Sequence, residues 1–288
     1  VAQGYSHRES ETVYNSASQL KDPIGLAVSM FRDLGHSRGL AWRLFVRNLS
    51  ARYRQTILGY VWAFLPPVVA TAVFIFLRRS GFFLVEDTGV SYVAFLFTGV
   101  VLWQTFVDAI FSPIRMVNQS RAMLRKINFP HEALLLAGLA EVLFNAMIRA
   151  VLLAGVLIWQ DVTVPVTVFL APLGLAVLIL VALGIGVLAA PFAMLFNDIE
   201  QALAVFLTLW MFVTPVLYPP PTTWPGSLTM RVNPVAPVLD TARAWILTGN
   251  PKHLFGFIVV AGVTLVLLFL GWVLYRLALP IAVERMGS

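Results

Sequence analysis

The sequence contains no cysteine, which excludes disulfides, thiolate metal sites and cysteine nucleophiles and leaves the redox compartment open. Charge is scarce too: 12% of the 288 residues are Asp, Glu, Lys or Arg, about half the usual share in a soluble domain. No stretch shows the period-two alternation, about 10 residues long, that a barrel strand needs. Residues 1–55 hold no apolar core of the signal-peptide kind, so the first hydrophobic segment is expected to be a true span behind an uncleaved amino terminus. A glycine-rich loop ending in Gly-Lys-Ser or Gly-Lys-Thr is missing, and ATP is therefore not bound in the P-loop manner. His131-Glu132 starts like a zinc-protease motif, but Leu135 stands where the second His must be. No catalytic residue, metal site, cofactor or nucleic-acid partner is expected of this chain.

What is abundant is apolar surface. The chain is 59% hydrophobic with a mean hydropathy of +0.83, the composition of an integral membrane protein. A bilayer core of about 30 Å takes roughly 20 apolar helical residues to cross. Six spans are expected on that basis, at 56–77, 91–111, 133–159, 168–196, 201–217 and 254–274. With an even number of spans the termini share a side, and that side carries 14 Lys and Arg against five on the other. The positive-inside rule then places both termini in the cytoplasm. The fold class expected is an all-α membrane protein of six spans.

Two regions depart from simple spans. Residues 162–197 are uncharged and too long for one crossing, so the part near Val164 and Pro165 is expected at the outer surface. Between spans five and six, prolines recur at 215, 219, 220, 221, 225, 234 and 237, each removing a backbone donor. Irregular backbone survives at membrane depth only when buried in protein or lining a cavity. An outer re-entrant hairpin at 219–250 is expected, with a short helix near Pro237–Leu247 and Gly249 just past its end; an ordinary extracellular loop is the alternative. Before the first span, Leu40, Leu44, Phe45 and Leu49 recur near helical spacing while Arg38, Arg43 and Arg47 fall on other faces, as in an interfacial amphipathic helix. The resulting division is a polar cytoplasmic tail 1–34, an interface helix 35–55, a six-span domain 56–275 with a long inner loop 112–132, and a cytoplasmic tail 276–288.

Several residue groups admit both a packing and a functional reading. Glu141, Asn145 and Arg149 form a stripe along the third span, and an Arg near a helix centre costs about 2.5–3.5 kcal/mol in lipid, so protein or water must lie beside it. Either the three satisfy one another and a neighbouring helix, or they line a polar translocation path. Tyr92, Phe95, Trp103 and Phe106 follow one face of the second span, and Phe206 and Trp210 lie four apart in the fifth; they are packing, or apolar faces over which sugar rings slide. Asn197-Asp198-Ile199-Glu200 has the spacing of a helix start and is short and acidic enough to meet a soluble partner. Arg47, Arg52 and Arg54 crowd against the first span. Anionic lipid attracts each by about 1 kcal/mol, and a pyrophosphate would be gripped by the same guanidinium groups.

Three segments together resemble the membrane subunit of polysaccharide-exporting ABC transporters, the group that exports O-antigen, teichoic acid and capsule chains. They are RYRQTILGYVWAFLPP from Arg52, NQSRAMLRKINFPHEALLL from Asn118, and the run from FNDIEQ at Phe196 through TPVLYPP at Thr214 to NPVAPVLDTAR at Asn233. The resemblance covers roughly residues 40–275. It implies a permease in the inner membrane, acting as a homodimer with two copies of an ATP-binding subunit that carries the ATP and magnesium, and a lipid-linked glycan as cargo. It further implies that Arg125, Lys126, Ile127 and Phe129 seat in the ATPase, with Asp198 and Glu200 in the neighbouring turn. Many relatives have an Arg where this chain has Asn197, so an ion pair from that position is in doubt. A permease of the same group moving a drug or another lipid is the alternative. A membrane-embedded enzyme acting on polyprenyl substrates is a third reading, disfavoured because it would need a cluster of Asp, Glu or His at a membrane face.

Overall fold

Pro23, whose fixed φ suits the first helical position, begins α1 (Pro23–His36), and Ser37 leads the chain into α2 (Arg38–Arg54). The computed structural model describes residues 23–54, 61–81, 89–127, 129–196, 198–221, 223–224 and 226–285. The helices that follow are α3 (Val61–Arg79), α4 (Tyr92–Gln119), α5 (Arg121–Lys126) and α6 (Glu132–Trp159). A 3-10 turn at Val166–Leu170 then feeds α7 (Ala171–Leu195), and α8 (Asp198–Val213), α9 (Leu228–Val232), α10 (Val235–Leu247) and α11 (Leu254–Arg285) complete the chain. Every regular element among the described residues is helical. Among the described residues, four stretches are long and apolar enough to cross a membrane: Tyr92–Gln119, Glu132–Trp159, Val166–Leu195 and Leu254–Ala282.

α4 is the mast of the bundle. It packs against α6 on one side and α7 on another, with α3 and α10 also against it, while α11 packs on the far side of α7. Burial follows this order, from 78% of the apolar window of α4 down to 17% of that of α11. The core around α4 is built from Leu96, Val100, Trp103, Phe106 and Ile110 against Leu178, Ala182 and Leu239. A second core lies at the other end, where Leu44 and Phe45 of α2 meet Leu134 and Ala137 of α6, Met194 of α7 and Leu279 of α11.

Side-chain contacts fix which ends lie together. Arg276 late in α11 reaches Glu132 at the start of α6 and Asp33 in α1, and Arg121, the first residue of α5, reaches the last turn of α7. This is the basic end. Tyr92 at the start of α4 reaches Leu217 after α8, and Thr167 reaches α10, which defines the proline-rich end.

The sequence-based boundaries hold in places and shift in others. The span expected at 133–159 is α6 almost residue for residue, and α7 with its 3-10 turn covers the one at 168–196. The helix of the second expected span does not stop at 111. It runs through Pro113 to Gln119, because Ile114, Met116 and Val117 still have the basic-end core to enter, so the connection begins near 120 rather than 112. The first expected span begins on residues outside those described, and its remainder is α3. In the fifth, α8 has 16 residues and ends at Val213, before Pro215 removes a donor. Part of the expected tail is helical: α1 buries Leu26, Met30 and Asp33. α2 is amphipathic as expected, with Leu44 and Phe45 buried and Trp42, Arg43 and Arg47 exposed. The short helix near Pro237–Leu247 is α10, and Gly249 follows it at φ +77, donating its N–H to Ala244 O at 2.8 Å. That left-handed backbone costs an L side chain energy and glycine none.

Candidate functional site

The proline-rich end poses a problem of backbone chemistry, since the chain leaves α8 through Pro215 and its carbonyls lose helical partners. Two side chains on other elements answer it. Arg243 of α10 is buried and donates from Nη2 to Pro215 O at 2.6 Å and Val216 O at 3.2 Å, and the Tyr92 hydroxyl donates to Leu217 O at 3.2 Å. The Arg243 guanidinium lies 4.0 Å from the centre of the Phe95 ring, within cation–π range. α4 makes room by having Gly99 there, where a Cβ would press into Val216 O and come within 2.7 Å of Arg243 Nη2. Asn233 completes the lock. Its Oδ1 accepts from Trp210 Nε1 at 3.2 Å and from the Val235 N–H at 3.0 Å, while its Nδ2 donates to Thr214 Oγ1 at 2.8 Å. The amide thus caps α10 and holds the indole of Trp210 in one orientation.

Trp210 is the centre of an aromatic bank. Its ring lies 6.2 Å from Trp103 and 5.7 Å from Phe106, both edge-on, and 5.2 Å from Phe206, within the range of favourable ring pairs. Trp103 and Phe106 are enclosed by the core, Trp210 is half-buried and Phe206 is 54% exposed, so the bank runs from interior to surface. An open, mostly apolar cavity of about 410 Å³ adjoins it, lined by Trp210, Val213, Leu228, Thr229 and Val232 among others. The six aromatic residues named from the sequence therefore divide. Four are contiguous, whereas Tyr92 and Phe95 serve the backbone break beside Arg243.

The stripe on α6 is buried throughout, with Glu141, Asn145 and Arg149 each under one tenth exposed. Arg149 crosses to α4, donating from Nη2 to Asp108 Oδ2 at 2.6 Å and from Nη1 to Thr105 Oγ1 at 3.5 Å. A second cation, Arg115, lies 3.6 Å from Asp108 Oδ1 and donates to its backbone carbonyl at 3.2 Å. This meets the electrostatic requirement that a charge inside a bundle be paired. The partner was not legible, since 41 residues separate Asp108 from Arg149.

The basic end holds two further networks. Arg276 donates from Nη2 to Asp33 Oδ2 at 2.7 Å and from Nη1 to Glu132 Oε1 at 3.0 Å, all three buried, which ties α1, α6 and α11 together. His131 precedes Glu132, and burial, reinforced by the Arg276 cation, pushes its imidazole down to about 4. The second network starts from Asn118, whose Oδ1 accepts from Arg121 Nε at 3.2 Å and Nη2 at 2.9 Å. Arg121 Nη2 also donates to Ala193 O at 3.2 Å, and Asn118 Nδ2 lies 3.5 Å from Glu200 Oε2.

The residues expected to seat in a partner surround these networks. Arg125, Lys126 and Ile127 are exposed on and after α5, Asp198 is exposed at the start of α8, and Glu200 is half-buried. Phe129 is buried in the basic-end core beside the His131 ring. Arg47 is exposed and donates to Asn48; the side chains of Arg52 and Arg54, and Asn197, lie outside what the structure describes. Sequence reading missed Asp33, Arg115, Asn118, Arg121, Asn233, Arg243 and Arg276 as network members. Only Arg115 and Arg276 carried a signal, as lone cations beside or within apolar helical runs.

Comparison with known proteins agrees with this architecture. The chain is 27% identical over 247 residues to the O-antigen export system permease protein RfbA of Myxococcus xanthus, covering 84% of this chain and 93% of that protein. It is 21% identical over 228 residues to a Klebsiella pneumoniae protein of the same name, covering 78% and 80%. It is 25% identical over 242 residues to the polysialic acid transport protein KpsM of Escherichia coli, covering 81% and 91%. Residues 40–247 match the ABC-2 type transporter family, and the chain belongs to that family.

Proposed function

We propose that this chain is the transmembrane subunit of an ATP-driven exporter that moves a lipid-linked polysaccharide across the inner membrane. The observation that carries the reading is the likeness, over about four fifths of the chain, to one protein named as an O-antigen export permease and another named for polysialic acid transport. The aromatic bank is what such a cargo requires, because ring stacking holds sugars without fixing their register. On this reading the chain makes six crossings, with α3 and α8 as the first and fifth, α2 lying at the cytoplasmic interface, and α9 with α10 forming an outer re-entrant hairpin. Both termini and α5 then face the cytoplasm.

Two copies of the chain work with two ATP-binding subunits, and the exposed apolar sides of α3 and α8 are the faces a second copy covers. Arg125, Lys126 and Ile127 with Asp198 and Glu200 form the seat for the ATPase, and Phe129, buried in the core beneath it, supports it. Tyr92, Phe95, Trp103, Phe106, Phe206 and Trp210, with Glu141, Asn145 and Arg149, belong to the path or support it. Arg47, Arg52 and Arg54 meet lipid headgroups and the pyrophosphate of the carrier. The test is reconstitution of the chain with its ATPase subunit in liposomes holding labelled lipid-linked glycan. ATP-dependent movement of the glycan is expected, and movement of drug or ordinary lipid alone would overturn the cargo assignment.

A further inference from the structure

α8 is the most loosely held of the long helices. Leu207 is its one buried residue among those described, and Val205, Phe206, Leu209, Phe212 and Val213 are all at least half exposed. At its far end the indole of Trp210 is hydrogen-bonded to Asn233. At its near end the first turn is met by Asn118 through Glu200. Rotation of such a helix about its axis is therefore set by few contacts, and a change in its first turn re-aims the exposed Phe206, about 9 Å further along the axis, against Trp210, whose indole Asn233 holds.

The contacts around Asn118 differ in firmness. Arg121 is held twice by Asn118 Oδ1, at 2.9 and 3.2 Å, and reaches the last turn of α7 at 3.2 Å, so the start of α5, the end of α4 and the end of α7 move as one body. Beside the short chain connection from α7, where the Ile199 N–H donates to Phe196 O at 3.4 Å, and the apolar packing of Ile199 and Leu203, the polar step from this body to α8 is one contact of 3.5 Å, at the outer limit of a hydrogen bond. With its oxygen taken by a cation, the Asn118 amide can present only its NH₂ to Glu200. We propose that Asn118 is a positioning residue that transmits the position of α5 to α8, with its contact to Glu200 as the joint that tightens or slackens while the rest of the network stays rigid. This rests on the exporter reading for its purpose, since α5 is where an ATPase would push and α8 carries the rings a glycan would meet.

Reversing the polarity of the joint tests it. Asn118→Asp keeps the acceptor for Arg121 but sets a carboxylate against Glu200; adding Glu200→Gln restores a donor across the same gap. Because the chain has no cysteine, spin labels on single cysteines replacing Thr208 and Val73, in the full complex in nanodiscs, report the position of α8 against α3. The N118D variant should broaden that distance distribution and lower glycan exported per ATP by about fivefold, and N118D/E200Q should restore both. An unchanged distribution in N118D overturns the proposal, as does loss of the ATPase subunit on purification, which would make Asn118 a docking residue. Broadening and rescue in a complex that moves no glycan would uphold the joint and reject the exporter reading.

Discussion

Replacing Arg276 by Met removes the guanidinium that Asp33 and Glu132 share and leaves two carboxylates in a site where all three side chains are at most 12% exposed. Solvent screens little at that burial, so the cost is that of stranding buried charge, about 3–5 kcal/mol. Asp33→Asn is the informative control. It gives up one hydrogen bond but leaves Arg276 and Glu132 as a balanced pair, for about 1–2 kcal/mol. With about 2–4 °C of melting temperature per kcal/mol for a chain of this size, Arg276→Met should lower the apparent melting temperature by at least roughly 6 °C, and Asp33→Asn by clearly less. Fluorescence-detected size exclusion after heating, with the protein in nanodiscs, reads both. Hydrogen exchange should show α1 opening in each variant, since Asp33 is its polar tie to α11. Equal shifts for the two variants would refute the shared-cation account.

Four further outcomes are expected. Lys126→Glu should abolish co-purification of the ATPase subunit without lowering stability, because Lys126 is exposed, whereas Phe129→Ala should lower stability by about 3–5 kcal/mol as a buried core truncation; pull-down and melting curves separate them. Gly99→Ala should cost about 1–3 kcal/mol by overpacking, measured by the same melting assay, because the new methyl meets the Val216 carbonyl and the Arg243 guanidinium. Trp103→Ala should lower folded yield and export together, while Phe206→Ala, half exposed, should lower export alone; parallel losses in both would remove Phe206 from the path. Because the folded His131 pKa, about 4, lies below the unfolded value of about 6.5, its stabilising contribution is complete above pH 6.5 and is lost as pH falls towards 4. The wild-type melting temperature should therefore drop more steeply over that window than that of His131→Gln.

The periodic and the local were legible, and the long-range was not. A proline cluster ending at Pro237 and a glycine at 249 announced α10 and its stop because both act through their own backbone. The polar stripe of α6 announced burial because lipid offers it nothing. The end of α4 was not legible, since a membrane crossing is complete by 111 whereas the helix goes on to Gln119, and the core waiting for Ile114 and Val117 is visible only in three dimensions. α1 carried a signal that was passed over: Asp22-Pro23 precedes Leu26 and Met30 at helical spacing. Nothing in one sequence could pair Asp33 with Arg276, 243 residues away.

The contrast in burial between α4 and α11 has a consequence for synthesis. α11 can be surrendered to lipid the moment it leaves the ribosome, because only 17% of its apolar window is buried in the finished bundle. α4 emerges with Gln104, Asp108 and Arg115, while Arg149, the cation that pairs with Asp108, lies 41 residues further along the chain and is not yet made. At about 5–20 residues per second, roughly 2–8 s pass before α6 supplies that guanidinium. During that interval the helix that later organises the bundle is the one least suited to stand alone, and the insertion machinery must hold α4 until it can be released with α6 as a pair.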